Sequence, residues 1–172
     1  KHPVGPIKAV AIGSSVGGPK ALRTLLSPLP STFSLPIFLV QHIAPGFVEG
    51  FAEWLNEGIT LKVKIPANNE QALAGHVYVA PDKLNMEIDR GGIIRLSEVA
   101  SQYIYAPSIE KLFQTVAKSY GQNAMAILLL GGEKDGLKAL QQIKDCGGYA
   151  LLESGGMDPP LPLQEDTYAS IE

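Results

Sequence analysis

The chain has 172 residues, enough for one domain with a sizeable core, and its 45% hydrophobic and 18% charged residues exclude a disordered chain. A formal net charge of −3, with no basic run able to follow a phosphate backbone, argues against nucleic acid as a partner. The single cysteine, Cys146, excludes an internal disulfide and a cysteine zinc cluster, and fits a reducing, cytoplasmic setting.

In chain order, Ala9 to Ile12 form a β-prone run ending at Gly13. From Pro19 to Leu29 the residues Leu22, Leu25, Leu26 and Leu29 recur at helical spacing, with Pro19 suited to a first helical turn. Pro36 to Val40 repeat the strand signal, and Phe47, Val48, Phe51, Trp54 and Leu55 mark a second amphipathic helix. Short, continuous apolar strands separated by helices predict a parallel sheet buried on both faces.

The middle of the chain changes character. Lys62 to Ile65 alternate, Val77 to Ala80 read as a strand, and Met86 to Asp89 face Gly92 to Leu96 across Arg90-Gly91 as a β-hairpin. Ser108 is placed to cap a helix carrying Ile109, Leu112, Phe113, Val116 and Tyr120 on one face and closed by Gly121. Met125 to Leu130 then predict a buried strand, Gly131 to Lys134 a loop, Leu137 to Lys144 a helix and Tyr149 to Leu152 a last strand. The core so defined runs from about residue 8 to 152, within a single domain. Residues 153–172, with Gly155-Gly156 and Pro159-Pro160, are expected to be an irregular tail.

The longest uninterrupted apolar run, Ala124 to Leu130, is far short of the roughly 20 residues of a membrane helix, so no membrane insertion is expected. The start Lys1-His2-Pro3 lacks both a Met and a signal segment, which reads as a piece of a longer protein.

In such a sheet, reactive residues gather in loops at the carboxyl ends of strands. The first such loop, Gly13 to Gly18, contains G-x-S-x-G with Ser15 at its centre, between a strand and a helix. Small flanking residues let a serine stand clear of a sharp turn, and the helix N-terminus offers amides to an oxyanion. The same pattern also suits a Gly-rich packing turn or a phosphate cradle. The second loop begins at Gln41-His42, where His42 could act as a general base or simply hydrogen-bond to local backbone. His2 and His76 read as surface residues. In the third loop, Asp135 could orient an imidazole or cap the helix that follows it. A nucleophile, a base and an acid thus each occur once at a predicted strand end. Their order, Ser15, His42, Asp135, differs from the Ser, Asp, His order of α/β-hydrolases.

The strings Ala11 to Leu22, Val40-Gln41-His42-Ile43 with Pro45-Gly46-Phe47, Tyr78 to Pro81, Pro107 to Phe113 and Asp135-Gly136 together resemble the catalytic domain of the CheB-type chemotaxis protein-glutamate methylesterases, from about Lys8 to Gly148. The resemblance implies an α/β fold: a doubly wound, mostly parallel sheet with an antiparallel hairpin and helices on both faces. It also implies hydrolysis of glutamyl methyl esters on the cytoplasmic helices of chemoreceptors, with glutamine deamidation in many members. On this basis Ser15 is the nucleophile, His42 the base and Asp135 its orienting acid. Backbone amides of Val16 and Gly132 form the oxyanion hole, and neither a cofactor nor a metal is needed. Members often carry an N-terminal receiver domain as regulator, for which this chain has no space.

Departures from the family pattern cluster near the site. Val16 stands where members usually have Thr, Gly131-Gly132-Glu133 replaces Gly-Met-Gly, and Asn85-Met86 replaces a common His-Met pair. The usual C-terminal motifs are replaced by Glu153 to Pro160. The competing expectation is a weakly active or non-catalytic homologue that binds a receptor or signalling protein.

Overall fold

The computed structural model describes residues 6–98, 107–130 and 135–154. Among the described residues nine strands and four α-helices follow one another: β1 (Ala9–Ser14), α1 (Gly18–Leu26), β2 (Ile37–Gln41), α2 (Val48–Gly58), β3 (Lys62–Lys64), β4 (Glu70–Gln71), β5 (His76–Val79), β6 (Leu84–Asp89), β7 (Ile93–Glu98), α3 (Ile109–Tyr120), β8 (Ala124–Leu130), α4 (Leu137–Asp145) and β9 (Tyr149–Ser154). Six strands form one sheet in the order β3-β5-β2-β1-β8-β9, with every pairing parallel. The chain winds outward from β1 to β2, then returns across the other face to β8. Strand order therefore reverses between β1 and β8, the place where doubly wound sheets bind their ligands.

Alternation along each strand divides the core into two layers. Val10, Ile12, Ile37, Leu39 and Val77 pack with Leu22, Leu25 and Leu26 of α1 and with Phe51 and Leu55 of α2. Ala9, Ala11, Ala124 and Ala126 face the opposite way, toward Ile109, Leu112, Phe113 and Val116 of α3 and Ala139, Leu140 and Ile143 of α4. Small strand residues let α3 come close. A Cβ on Gly13 of β1 would lie 2.3 Å from the Ile109 side chain. Burial of side chains such as Leu112 and Phe113 contributes about 1.5–3 kcal/mol each.

The expected hairpin is β6 and β7, antiparallel with Asp89 opposite Ile93. Its connection uses Gly91 and Gly92 at φ 78° and 79°, backbone values that side chains disfavour. The hairpin does not join the main sheet. With β4, a short strand that the sequence pattern did not reveal, it forms a separate three-stranded sheet. Met86, Ile88 and Ile94 of this sheet enter the α3 layer.

The remaining differences are at element ends. Helix α1 stops at Leu26 where the leucine spacing suggested Leu29, and β9 runs on to Ser154, two residues past the expected end. Leu29 is nonetheless buried with the α1 layer, so its spacing reported burial and not helix. Residues 155–172, expected as an irregular tail, lie outside the described residues. Among the described residues no helix is long and apolar enough to cross a membrane, and no group of three or more His, Cys, Asp or Glu could hold a metal ion.

Candidate active site

Strand register brings the first two loops together. Ser14 pairs with Gln41 at the carboxyl ends of β1 and β2, and the His42 N–H donates to the Ser14 carbonyl at 2.8 Å. Ser15 and His42 are therefore the next residues out from adjacent strands. Ser15 is 3% exposed, at the turn into α1. Gly17 at φ 81° reverses the chain there, and the Gly18 N–H donates to the Ser15 carbonyl at 2.9 Å. Pro19 occupies the first turn of α1, as its sequence position indicated.

Asp135 lies beyond β8, the other neighbour of β1. Its Oδ2 is 2.9 Å from Nε2 of His42, and both side chains are largely buried. The carboxylate also accepts the N–H of Ile109 at 2.8 Å through Oδ2 and that of Glu110 at 3.0 Å through Oδ1. These are the first two residues of α3, so the carboxylate sits on a helix N-terminus, where negative charge is favoured. Burial alone would raise the Asp135 pKa. The contact with His42 and the two backbone donors outweigh it and hold the group below the usual aspartate value.

The capping alternative for Asp135 is thus corrected in its details. Asp135 does not cap α4, whose first turn follows Gly136 at φ 96° without a side-chain cap. It caps α3 instead, and the turn at Gly136 aims it there. A side chain at 136 would collide with Ile109, since its Cβ would lie 2.6 Å from that residue. Ser108 is the N-cap expected from sequence: its Oγ accepts the Lys111 N–H at 3.1 Å. Asn85, one of the departures from the family pattern, is buried, and its Oδ1 accepts the Ser108 N–H at 3.0 Å.

Val16, proposed from the resemblance as an oxyanion donor, has a side chain 79% exposed, so its methyl groups do not crowd the turn. Gly132, the other expected donor, and Glu133 lie outside the described residues, as does His2. His76 lies apart from this cluster. It is a half-buried β5 residue whose Nδ1 lies 2.9 Å from the Ala74 carbonyl and whose ring stacks on Tyr78.

Two groups of residues near the site carried no role in the sequence analysis. Gln41 is buried and donates to the carbonyls of Ser15 and His42. A lone amide ending an otherwise apolar strand was the available signal. Ile43, Phe47 and Leu137 are exposed large apolar side chains, as is Val16. Three of these four residues follow Ser15, His42 or Asp135 within two positions.

This arrangement defines a doubly wound α/β domain with a serine, a histidine and an aspartate at the carboxyl edge of three adjacent strands. Comparison with known proteins gives the family: residues 10–156 match CheB methylesterase, and the chain belongs to that family. It is 43% identical over 150 residues to a protein-glutamate methylesterase/protein-glutamine glutaminase of Nitrosospira multiformis, covering 87% of this chain and 42% of the relative. A Syntrophus aciditrophicus protein of the same name, numbered 1, is 41% identical over 147 residues, with 86% of this chain and 42% of the relative covered. The chain therefore spans less than half the length of these relatives. The crystal structure of the Thermotoga maritima CheB methylesterase catalytic domain superposes with a TM-score of 0.79 at 29% identity, over 96% of this chain and 97% of that one.

Proposed function

We propose that this chain is a single catalytic domain that hydrolyses glutamyl methyl esters on the cytoplasmic helices of chemoreceptors, and that it also deamidates glutaminyl side chains. The observation that carries the proposal is the His42–Asp135 ion-pair contact of 2.9 Å, one strand away from Ser15 at the reversal point of the sheet. The names of the relatives support both reactions. The exposed apolar residues beside the site, Val16, Ile43, Phe47 and Leu137, favour a macromolecular substrate that covers them on docking.

In this mechanism the Ser15 hydroxyl attacks the ester carbonyl while His42 takes its proton. With Nε2 against Asp135, the base is Nδ1. The tetrahedral oxyanion is held by the N–H groups of Val16 and Gly132. Collapse expels the methoxide, which leaves as methanol with the proton from His42, and Ser15 keeps the acyl group. Water then attacks the acyl-enzyme while His42 accepts its proton; the bond to Ser15 Oγ breaks, Oγ takes that proton back from His42, and the glutamyl product leaves with a free carboxyl group. For a glutaminyl side chain the leaving group is ammonia. In the full-length protein an N-terminal receiver domain is the proposed regulator, and the cytoplasm the site of action.

The test is methanol release from methylated receptor, with covalent labelling of Ser15 by an organophosphorus reagent. Wild-type protein should release methanol and take the label, and Ser15→Ala should do neither. Folded wild-type protein that takes no label would overturn the proposal in favour of a non-catalytic binding module.

A further inference from the structure

Gln41 closes β2 with its side chain 3% exposed. Its Nε2 lies 2.9 Å from the Ser15 carbonyl and 3.1 Å from the His42 carbonyl. One amide group thus spends both hydrogens on the backbones of the proposed nucleophile and base. The reverse orientation would turn an oxygen toward two carbonyl oxygens, so the donors fix the amide. Its other atom, Oε1, is buried and makes no hydrogen bond among the described residues.

The Ser15 carbonyl also accepts the Gly18 N–H at 2.9 Å, so Gln41 and Gly18 together fill both of its lone pairs. That carbonyl belongs to the same planar peptide unit as the Val16 N–H, and in a trans peptide the two groups point in opposite directions. Clamping one therefore aims the other. An oxyanion donor is useful only if it points at the place where charge develops, within about 2.7–3.1 Å of the oxygen.

We infer that Gln41 is a positioning residue that aims the Val16 N–H into the oxyanion hole by holding the Ser15 carbonyl, and that it ties this donor to the His42 strand through its second hydrogen bond. The inference rests on the hydrolase reading above and adds to it a residue that touches no substrate. Gln41 acts on the transition state alone, because only there does the carbonyl oxygen carry full charge.

The experiment compares wild type with Gln41→Met, which keeps the bulk and removes the donor. Methanol release is measured together with the affinity for a boronic acid, whose tetrahedral adduct on Ser15 mimics the oxyanion. Expected for Gln41→Met are a kcat about ten- to a hundredfold lower per labelled Ser15, a KM within about twofold of wild type, and boronate affinity weakened by about the same factor as kcat. The pH midpoint of kcat should stay in place, since the His42–Asp135 contact is untouched. If Gln41→Met does not fold, Gln41→Asn draws the amide back by one carbon and should show the same parallel loss.

Unchanged kcat per labelled Ser15 in the folded variant would overturn the inference, as would a fall in kcat with unchanged boronate affinity. A wild type that neither releases methanol nor takes the label would sink the hydrolase reading and the inference together. An active wild type with an equally active Gln41→Met would sink the inference alone.

Discussion

Nε2 of His42 lies 2.9 Å from Oδ2 of Asp135, and the same oxygen accepts the Ile109 N–H at 2.8 Å. The acid proposed to orient the imidazole is thus itself anchored by the first turn of α3, the helix that follows the hairpin in sequence. Asp135→Asn keeps the shape but presents an amide that no longer favours a proton on Nε2. In the proposed mechanism kcat for methanol release should fall by about 10³–10⁴-fold, with Ser15 still in place. Nitrogen NMR of the imidazole should show the proton on Nε2 in wild type and a changed tautomer balance in the variant. A variant with wild-type kcat would remove Asp135 from the mechanism.

The same carboxylate links stability to pH. Its pKa in the folded protein is lowered, because the His42 contact and the N–H groups of Ile109 and Glu110 outweigh the effect of burial. The folded state therefore prefers the ionised form. The stabilisation is fully present above the ordinary aspartate pKa of about 3.9 and is lost as pH falls through the lower folded value. Urea midpoints should drop for wild type as pH falls through the ordinary aspartate value of about 3.9 and on toward the lower folded one. For Asp135→Asn the stability deficit relative to wild type should be largest above pH 5 and should shrink as the medium becomes acid. A deficit independent of pH would show that the carboxylate's charge does not stabilise the fold.

The strand and helix pattern was legible in the sequence because it rests on local spacing. Apolar runs gave β1, β2, β5 and β8, the spacing of Ile109, Leu112, Phe113 and Val116 gave α3, and Gly91-Gly92 gave the hairpin turn. Ser15, His42 and Asp135 were legible as chemistry-bearing groups after predicted strands, which the fold places beyond the adjacent strands β1, β2 and β8. What local spacing could not carry was long-range: that the hairpin pairs with β4 in its own sheet, or that Asp135 caps a helix 26 residues earlier in the chain. The bond from Gln41 to Ser15 also spans 26 residues: the lone amide ending an apolar strand marks the residue, but local spacing does not identify its partner. Strand β4 is two residues long, too short for any periodicity to register.

Asn85 links two elements beside the candidate site. Its Oδ1 accepts the Ser108 N–H at 3.0 Å, tying the hairpin strand β6 to the N-cap of α3, the turn that also holds Asp135. In Asn85→Ala the N–H of Ser108 loses a buried acceptor, a loss of about 1–3 kcal/mol. Chemical denaturation should register that decrease, and kcat should fall as the first turn of α3 loosens its hold on Asp135. An unaltered denaturation midpoint would mean that water replaces the amide without penalty.

Gly17 and Gly18 stand side by side in the turn that carries Ser15, yet they are glycine for different reasons. Gly17 has φ 81° and nothing within 4 Å of an added Cβ, so its constraint is backbone conformation. Gly18 has no left-handed φ, but a Cβ there would lie 1.7 Å from Ser14 Oγ and 2.9 Å from Gln41 Oε1. Ser14 is fully buried and Gln41 nearly so, and relief requires moving first the Ser14 hydroxyl and then the tip of Gln41, the side chain that holds the Ser15 carbonyl. Gly17→Asn, which tolerates the left-handed region, should therefore cost less than about 1 kcal/mol. Gly18→Ala should destabilise by about 1–3 kcal/mol through overpacking. The two variants should also separate in chemistry: Gly17→Asn should take the organophosphorus label at nearly the wild-type rate, while Gly18→Ala should label more slowly even when fully folded. Equal labelling rates for the folded variants would show that the Gln41 side chain can yield to the added methyl without disturbing the turn.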